Sequence, residues 1–215
     1  MASKSVWGKI WYFIWEDDSI WSWIVNVILA FILIKFIIYP GLGFVFQTSH
    51  PIVAVVSGSM EHKMVPAGSS YIICSKSLSE KQGVNLDKFW EICGSYYETN
   101  FAMTKDQFKE YPFKNGFNKG DIMVLYSGKN LKVGDVVVYN GAKFPIIHRV
   151  VQLDGTAPDR NLVTAGDHNG YKDPQITEDR VIGKAVLRIP YLGYIKIWFV
   201  ELICIFNHNF QFCSI

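Results

Sequence analysis

Apolar residues are concentrated near the start of the chain, where the longest run covers residues 20–39. As an α-helix this run would be about 30 Å long, the thickness of a bilayer's hydrocarbon core. Asn26 and Lys35 interrupt it, and Lys35 lies near one end, where its long stem reaches the interface. The run is too long for a cleavable signal peptide, and no small-x-small cleavage site follows it. The pattern therefore predicts a transmembrane helix.

The residues before this run carry their own apolar stripe. Between residues 5 and 15 large apolar side chains recur at helical spacing, which predicts either an interfacial helix or the start of the span itself. Lys4 and Lys9 precede the span, and the next lysine beyond its end is Lys63. By the positive-inside rule we expect a cytosolic N-terminus, with the rest of the chain on the exterior or luminal side.

Beyond a turn-rich stretch at residues 40–43, short runs of β-branched residues predict strands, because glycine, aspartate and asparagine bound them. The predicted strands are residues 52–56, 122–126, 136–139, 146–151, 162–164 and 181–187. Between residues 75 and 119 the spacing changes and predicts helices at 86–97 and 104–111, with Thr104 as an N-cap. We therefore expect a mostly β domain with a helical insertion.

The last apolar run, residues 192–206, is short for a membrane crossing. It contains Lys196 and Glu201 and would be only about 22 Å long as a helix. A tilted or interfacial helix, a second span extended by residues 207–215, and a core helix are the three interpretations. The expected regions are a cytosolic segment (1–19), a transmembrane helix (20–39), a β domain (40–190, insertion about 75–119) and a membrane-associated segment (191–215).

Composition agrees with membrane contact, because half of the residues are hydrophobic and only 19% are charged. The net charge of +2 comes without a basic stripe, so nucleic acid is not an expected partner. The four cysteines lack C-x-x-C spacing, which gives no support to a zinc or redox site. Cys74 and Cys93 lie on one side of the predicted span and either form a disulfide in an oxidising compartment or remain free thiols.

Candidate chemistry centres on Ser59, in the tetrapeptide Ser-Gly-Ser-Met. A serine nucleophile needs a base, an acid that orients the base, and donors for the oxyanion. His148 is the preferred base, because an alternating strand gives its side chain a fixed face; His62, three residues after the serine, stays an alternative. Asp167 and Asp173 both follow His148 and are candidates for the orienting acid.

Each of these features also has an ordinary structural interpretation. Ser-Gly-Ser is common in loops, and the stretch from Gly166 to Gly170 has the composition of a tight turn. A metal site formed by His148, Asp167, His168 and Asp173 is a further interpretation, although it lacks the H-x-x-x-H spacing of a helical metal site. The order of the motifs along the chain distinguishes between these interpretations.

That order resembles signal peptidase I, in the branch found in archaea and the endoplasmic reticulum, which has histidine where the bacterial branch has a lysine base. The matching blocks are Ser57-Gly58-Ser59-Met60-Glu61, Lys119-Gly120-Asp121, Val133-Gly134-Asp135-Val136-Val137-Val138-Tyr139, Pro145-Ile146-Ile147-His148-Arg149-Val150, Thr164-Ala165-Gly166-Asp167-His168-Asn169, Asp173, and Ile182-Gly183-Lys184 with Pro190-Tyr191-Leu192-Gly193. The resemblance implies a signal-peptidase-like β fold with a helical insertion, an N-terminal transmembrane helix and an apolar C-terminal helix. It also implies a serine endopeptidase that removes signal peptides from exported preproteins after small residues.

The resemblance implies a role for each site residue. Ser59 is the nucleophile, His148 the general base, and Asp173 the acid that orients it, with Asp167 supporting the hydrogen bonds of the site. The oxyanion and substrate-binding positions are the Ser59 backbone N–H, the Ser57 hydroxyl and Met60. No cofactor and no metal are implied.

The chain departs from the family pattern in an insertion at about residues 66–118, which lengthens the gap between Ser59 and the Gly-Asp motif at Asp121.

The expected partners are signal peptides, the lipid bilayer and the protein translocation machinery. The expected location is an archaeal cell membrane, with the endoplasmic reticulum as the alternative. Two other functions are weighed: a non-catalytic membrane-anchored β domain that binds a secreted partner, and a self-cleaving repressor-type protease, which needs a lysine base.

Overall fold

The chain forms two compact units, residues 1–45 and residues 46–215. A computed structural model describes residues 5–142, 144–157 and 160–206. The helices at the start of the chain are α1 (Val6–Trp15), α2 (Ile20–Leu33), a π-helical turn (Ile34–Ile38) and α3 (Tyr39–Phe46). From Ile20 to Phe46 they form one apolar helix of 27 residues with a mean hydropathy of 2.3, and its apolar window is not buried within the protein. Among the described residues it is the one helix long and apolar enough to cross a membrane.

The predicted turn at residues 40–43 is wrong, because the helix continues through them to Phe46. Proline has no N–H to donate to the carbonyl four residues earlier, and this usually ends a helix. Here a wide π-helical turn precedes Pro40, and the Tyr39 N–H bonds Ile34 five residues earlier. In an apolar solvent a helix is also the way for a single segment to satisfy its own backbone, which favours its continuation through Gly41 and Gly43.

α1 is a separate helix and not the frayed start of the span, because two polar side chains of α2 bind its last carbonyls. The Ser22 hydroxyl donates to Phe13 O at 2.5 Å, and the Asn26 amide donates to Ile14 O at 2.9 Å. Carbonyls at the end of a helix have no partner within that helix. Asn26, a polar residue within the apolar run, therefore links α2 to α1 by a hydrogen bond.

The second unit is built on two antiparallel sheets. Its strands are β1 (Ile52–Ala54), β2 (Val65–Ala67), β3 (Ser70–Ile73), β4 (Lys76–Leu78), β5 (Ile122–Tyr126), β6 (Val136–Asn140), β7 (Pro145–Asp154), β8 (Asn161–Ala165), β9 (Ile176–Thr177) and β10 (Val181–Ile189). The larger sheet has the order β1-β5-β10-β6-β7-β8-β9, and the smaller one has the order β2-β3-β4. All six predicted strands are present, and the mostly β fold is confirmed.

The inserted segment, taken from here on as about residues 66–118, contains both helices and strands. Its helices are α4 (Leu86–Phe101) and α5 (Lys105–Lys109), and Thr104 caps α5 in a capping box with Gln107, as predicted for this N-cap. The prediction of a helical insertion at about residues 75–119 missed β4, and no strands were predicted at β2 and β3. These strands are three or four residues long and partly exposed, so they leave no alternating apolar pattern.

An aromatic cluster packs the insertion onto the larger sheet. Phe89, Tyr97 and Phe108 are fully buried together with Val151 of β7 and Val163 of β8. Buried aromatic side chains contribute a large share of the apolar area that stabilises a core. The insertion is therefore an integral part of the domain core and not a loosely attached loop.

Cys74 and Cys93 form a disulfide that joins the end of β3 to α4, so pairing is the correct one of the two alternatives. Its Cα atoms are 5.7 Å apart, and the two cysteines are 19 residues apart along the chain. The bond fastens the two halves of the inserted segment to each other.

Removing this disulfide is expected to destabilise the domain. For a loop of this length, Cys74→Ser with Cys93→Ser should lower the free energy of unfolding by about 3 kcal/mol, because the unfolded chain regains entropy. Unfolding of the full chain in detergent, followed by near-ultraviolet circular dichroism, measures the change. A reducing agent should act similarly on the wild type and have a smaller effect on the double variant. An unchanged melting temperature of the reduced wild type would contradict the prediction.

The C-terminal run forms α6 (Tyr194–Phe206), a helix of 13 residues and about 20 Å. The core-helix interpretation is wrong, because large apolar side chains such as Trp198 and Phe199 are about two-thirds exposed, at 65% and 63%. The second-span interpretation depends on residues 207–215, which lie outside the described residues.

Candidate active site

The loop that carries Ser59 directly follows β1. Met60, the residue after Ser59, is buried in the domain core, and the Met60 carbonyl accepts a hydrogen bond from the Phe117 N–H at 3.1 Å. The Glu61 N–H donates to Gly58 O at 3.0 Å and closes a turn around the serine. Ser59 itself is half-buried. A buried neighbour thus holds the serine at the edge of the core.

Two further contacts define the surroundings of Ser59. Its carbonyl oxygen accepts a hydrogen bond from the His168 N–H at 2.8 Å, and its Oγ lies 3.2 Å from the Ser57 Oγ. The two serine side chains therefore lie on the same side of this loop. Met60, expected at a substrate-binding position, has its side chain in the core with only 1% exposed.

His148 lies on β7 and is paired with Asp173. The Nδ1 atom is 2.5 Å from Asp173 Oδ2, and the same oxygen accepts hydrogen bonds from the Thr164 hydroxyl at 2.6 Å and the Tyr139 hydroxyl at 3.0 Å. Burial by itself raises the pKa of the Asp173 carboxyl. The hydrogen bond and the electrostatic attraction from His148, together with the two hydroxyl hydrogen bonds, outweigh this effect of burial, so the pKa is lowered from 3.8. Asp173 is therefore ionised at neutral pH and lies within hydrogen-bonding distance of the imidazole.

Acid stability should depend on Asp173. A carboxyl whose pKa is lower in the folded chain than in the unfolded chain stabilises the fold above the unfolded pKa of about 4. That stabilisation is lost as the pH falls through the folded value. Asp173→Asn removes this titration, so below about pH 4 its melting temperature should fall less steeply than that of the wild type. Thermal unfolding of both proteins across the acid range tests this, and equal slopes would contradict it.

Gly166 lies between the histidine and the serine loop. A Cβ atom at this position would lie 2.8 Å from His148 Nε2 and 2.8 Å from the Ser59 carbonyl oxygen, closer than real Cβ contacts come. Both groups therefore border one small space that only glycine leaves open. In the described part of the chain Ser59 Oγ makes no hydrogen bond with His148; such bonds often tighten only when substrate is bound.

Asp167 has partners different from those of Asp173. Its Oδ1 accepts from Arg149 Nε at 2.9 Å and from the Tyr97 hydroxyl at 3.2 Å, and its Oδ2 lies 2.7 Å from Arg149 Nη2 and 2.9 Å from His62 Nε2. Burial by itself raises the pKa of Asp167, but Arg149 and His62 outweigh it and hold the pKa far below its ordinary value. Asp167 is thus a buried carboxylate bound by four donors.

Arg149 uses all of its N–H groups in this cluster. Besides its two bonds to Asp167, it donates to the carbonyl oxygens of Pro112, Phe113 and Gly134 at 2.8 to 3.0 Å. The Arg149 side chain is fully buried. Five donors in a planar fork are available only from arginine.

The metal-site interpretation has no geometric support. Asp173 contacts His148, Asp167 contacts Arg149, and His168 Nδ1 lies 3.1 Å from Glu61 O, so the side chains do not converge on one point. Within residues 5–142, 144–157 and 160–206, no group of three or more His, Cys, Asp or Glu side chains could hold a metal ion.

Sequence reasoning missed several residues that shape the site. Thr164 and Tyr139 both lie in blocks quoted for the family resemblance, but their contacts with Asp173 follow only from the register of the sheet. Tyr97 lies on the inserted helix, and nothing in the linear pattern relates it to Asp167. His62, considered as an alternative base, contacts Asp167 and its side chain is only 3% exposed.

A half-buried serine beside a histidine–aspartate pair, at the edge of an antiparallel β domain, is an arrangement typical of serine hydrolases. The chain is also similar to signal peptidase complex catalytic subunits, which confirms the resemblance to the endoplasmic-reticulum branch of signal peptidase I. It is 34% identical over 99 residues to the subunit SEC11 of Chaetomium globosum, a match that covers 40% of this chain and 57% of the relative.

Two other relatives give similar values. The SEC11 subunit of Sclerotinia sclerotiorum is 37% identical over 98 residues, with 40% of this chain and 57% of the relative covered. That of Plasmodium falciparum is 35% identical over 97 residues, with 40% and 53% covered. The match thus spans little more than half the length of these relatives. No family model matches the chain.

Proposed function

We propose that this chain is a membrane-anchored serine endopeptidase that removes N-terminal signal peptides from exported preproteins, cutting after small residues. The observation that carries the proposal is the 2.5 Å contact between His148 and Asp173 beside the Ser59 loop, in a chain similar to signal peptidase catalytic subunits. The relatives' names supply the substrate class, and the site supplies the chemistry.

In this mechanism Ser59 Oγ attacks the scissile carbonyl carbon and His148 Nε2 takes its proton. The Nδ1–H donates to Asp173, which fixes the tautomer and stabilises the imidazolium that forms. His148 then returns the proton to the leaving amine, and water hydrolyses the acyl-enzyme by the reverse sequence. The low pKa of the Asp173 carboxyl supports this role, because the acid stays charged while the histidine is protonated.

Ser57 and the Ser59 backbone N–H are the proposed oxyanion donors. The contact of 3.2 Å between the two serine hydroxyls supports this assignment, because it brings Ser57 within reach of an oxygen that develops at the attacked carbon. β1 is an edge strand of the larger sheet and leads directly into this loop. An extended signal peptide could add to the sheet there, with small pockets selecting alternate side chains.

The direct test is to incubate the purified full chain, in detergent, with a preprotein and to map the new N-terminus by mass spectrometry. We expect one cut after a small residue, and none with the Ser59→Ala version of the same preparation. Cleavage by Ser59→Ala at the wild-type rate would reject the proposal. Binding without cleavage would favour the non-catalytic β domain, and cleavage of the chain itself alone would favour the repressor-type protease.

The proposed location is the endoplasmic-reticulum membrane, with residues after the span in the lumen. The disulfide supports an oxidising compartment, and the relatives are eukaryotic and named as subunits of a complex, which favours this alternative over an archaeal membrane. Partner subunits and the translocation machinery are proposed on the same basis. If the chain is made with microsomes, the second unit should be protected from added protease; digestion of that unit in intact microsomes would contradict this orientation.

The proposed lipid contacts include α6 as well as the N-terminal helix. α6 exposes Ile195, Trp198, Phe199, Leu202 and Ile205, which recur at helical spacing and form one apolar stripe. Such a stripe fits a helix that lies along the membrane surface. In liposomes, the emission spectrum of the full chain minus that of a Trp198→Phe control isolates the fluorescence of Trp198. We expect this difference spectrum to be blue-shifted from that of tryptophan in water, and an unshifted difference spectrum would contradict the contact.

A further inference from the structure

The inserted segment reaches the candidate active site through Tyr97 of α4. This side chain is fully buried, and its hydroxyl donates to Asp167 Oδ1 at 3.2 Å. A buried hydroxyl is costly unless it is hydrogen-bonded. Burial and the nearby Asp167 charge raise the pKa of Tyr97 well above 10, so the hydroxyl keeps its proton and remains a donor. The insertion therefore supplies one of the four donors that hold this carboxylate.

The segment also holds the far end of the same turn. The Cys74 N–H donates to His168 O at 2.7 Å, and the Ser75 hydroxyl donates to Asn169 O at 2.5 Å. Gly170 has a φ of +70°, and a Cβ atom there would lie 2.4 Å from Cys74 O, so the backbones are in close contact. The disulfide described above joins this contact covalently to α4.

The turn held in this way borders both reactive groups. Gly166 leaves the space between His148 Nε2 and the Ser59 carbonyl, and the His168 N–H binds the same carbonyl at 2.8 Å. A small displacement of this turn would therefore change the distance between the serine and its base. Displacements of about 1 Å can cost about a hundredfold in rate.

We propose that Tyr97 is a positioning residue: by holding Asp167 it fixes the turn from Gly166 to His168, and through this turn it fixes Ser59 relative to His148. The inserted segment is then a working part of the active site. This role rests on the proposed function. It differs from the roles of Ser59, His148 and Asp173, because Tyr97 acts only through the geometry of the turn.

Tyr97→Phe in the full chain tests this role, because the substitution removes one hydroxyl and keeps the ring that packs in the core. A matched control is Tyr71→Phe, another tyrosine of the inserted segment that packs against the same cluster. For preprotein cleavage we expect kcat to fall about tenfold in Tyr97→Phe, the equivalent of one hydrogen bond to a charged group, with KM unchanged. Tyr71→Phe should keep the wild-type values of both.

Each outcome of this experiment has a definite meaning. A wild-type kcat in Tyr97→Phe would overturn the positioning role, and so would a loss no larger than the loss of folded protein measured by near-ultraviolet circular dichroism. A rise in KM at constant kcat would also overturn it, because the residue would then act on substrate binding. Failure of the wild type to cleave any preprotein would instead reject the proposed protease, and with it this role.

Discussion

Asp173→Asn is expected to lower the kcat of preprotein cleavage by about ten-thousandfold while leaving the fold intact. The asparagine amide can still occupy the site, but it does not stabilise an imidazolium, and it can hold His148 in the wrong tautomer. The three donors to Asp173 Oδ2 come from His148, Thr164 and Tyr139, so the carboxylate contacts the histidine directly. Cleavage kinetics of the purified full chain measure the change.

The control for this variant is its folding. Near-ultraviolet circular dichroism at neutral pH should stay close to that of the wild type, because the side-chain volume is kept, and the melting temperature should fall only by the stabilisation that the ionised Asp173 provides at this pH. Residual activity within tenfold of the wild type would contradict the assignment of Asp173 as the orienting acid.

Asp167→Asn should have the opposite phenotype: a large loss of stability. The substitution leaves the Arg149 guanidinium buried without its anion, and breaking one side of a buried ion pair costs about 3 to 5 kcal/mol. The side chains of both partners are fully buried, so water cannot replace the lost contact. Unfolding of the full chain in detergent should show this loss, and cleavage should fail chiefly because less protein is folded.

Asp173→Asn is the matched comparison, since it makes the same chemical change at the neighbouring acid. Arg149→Lys should also destabilise the domain, because lysine offers three donors in place of five and lacks the fork geometry. An Asp167→Asn protein as stable as the wild type but catalytically dead would contradict the structural role of Asp167.

The sequence predicted which residues belong to the candidate site better than it predicted which of them contact each other. His148 and both acids were found from their motifs, since such residues lie in short blocks whose order survives in the chain. The resemblance implied that Asp173 pairs with His148, but the residue pattern alone did not decide between the two acids, because Asp167 and Asp173 are six residues apart and only the fold shows which one meets His148. The same limit applies to Tyr97, whose contact with Asp167 joins residues 70 positions apart.

The fold was predicted where the apolar pattern is strong. The six predicted strands belong to the larger sheet, whose buried positions produce clear runs, whereas β2, β3, β4 and β9 are too short to do so. The predicted turn at residues 40–43 followed local propensity, and the π-helical turn before Pro40 compensates for the missing donor. The local turn rule therefore failed at residues 40–43, because a backbone irregularity offsets the effect of the proline.

The inserted segment leaves and rejoins the domain at neighbouring points. The Met60 carbonyl accepts from the Phe117 N–H at 3.1 Å, and the Glu61 carboxylate accepts from the Lys119 N–H at 3.0 Å. A short linker could therefore join these points at a small cost in loop-closure entropy, so the main cost of removing the segment would be the loss of its packing in the core. Such a module can be gained or lost through one junction without altering the strand order. Its contacts with the turn at Asp167 would make a later loss harder than the original gain.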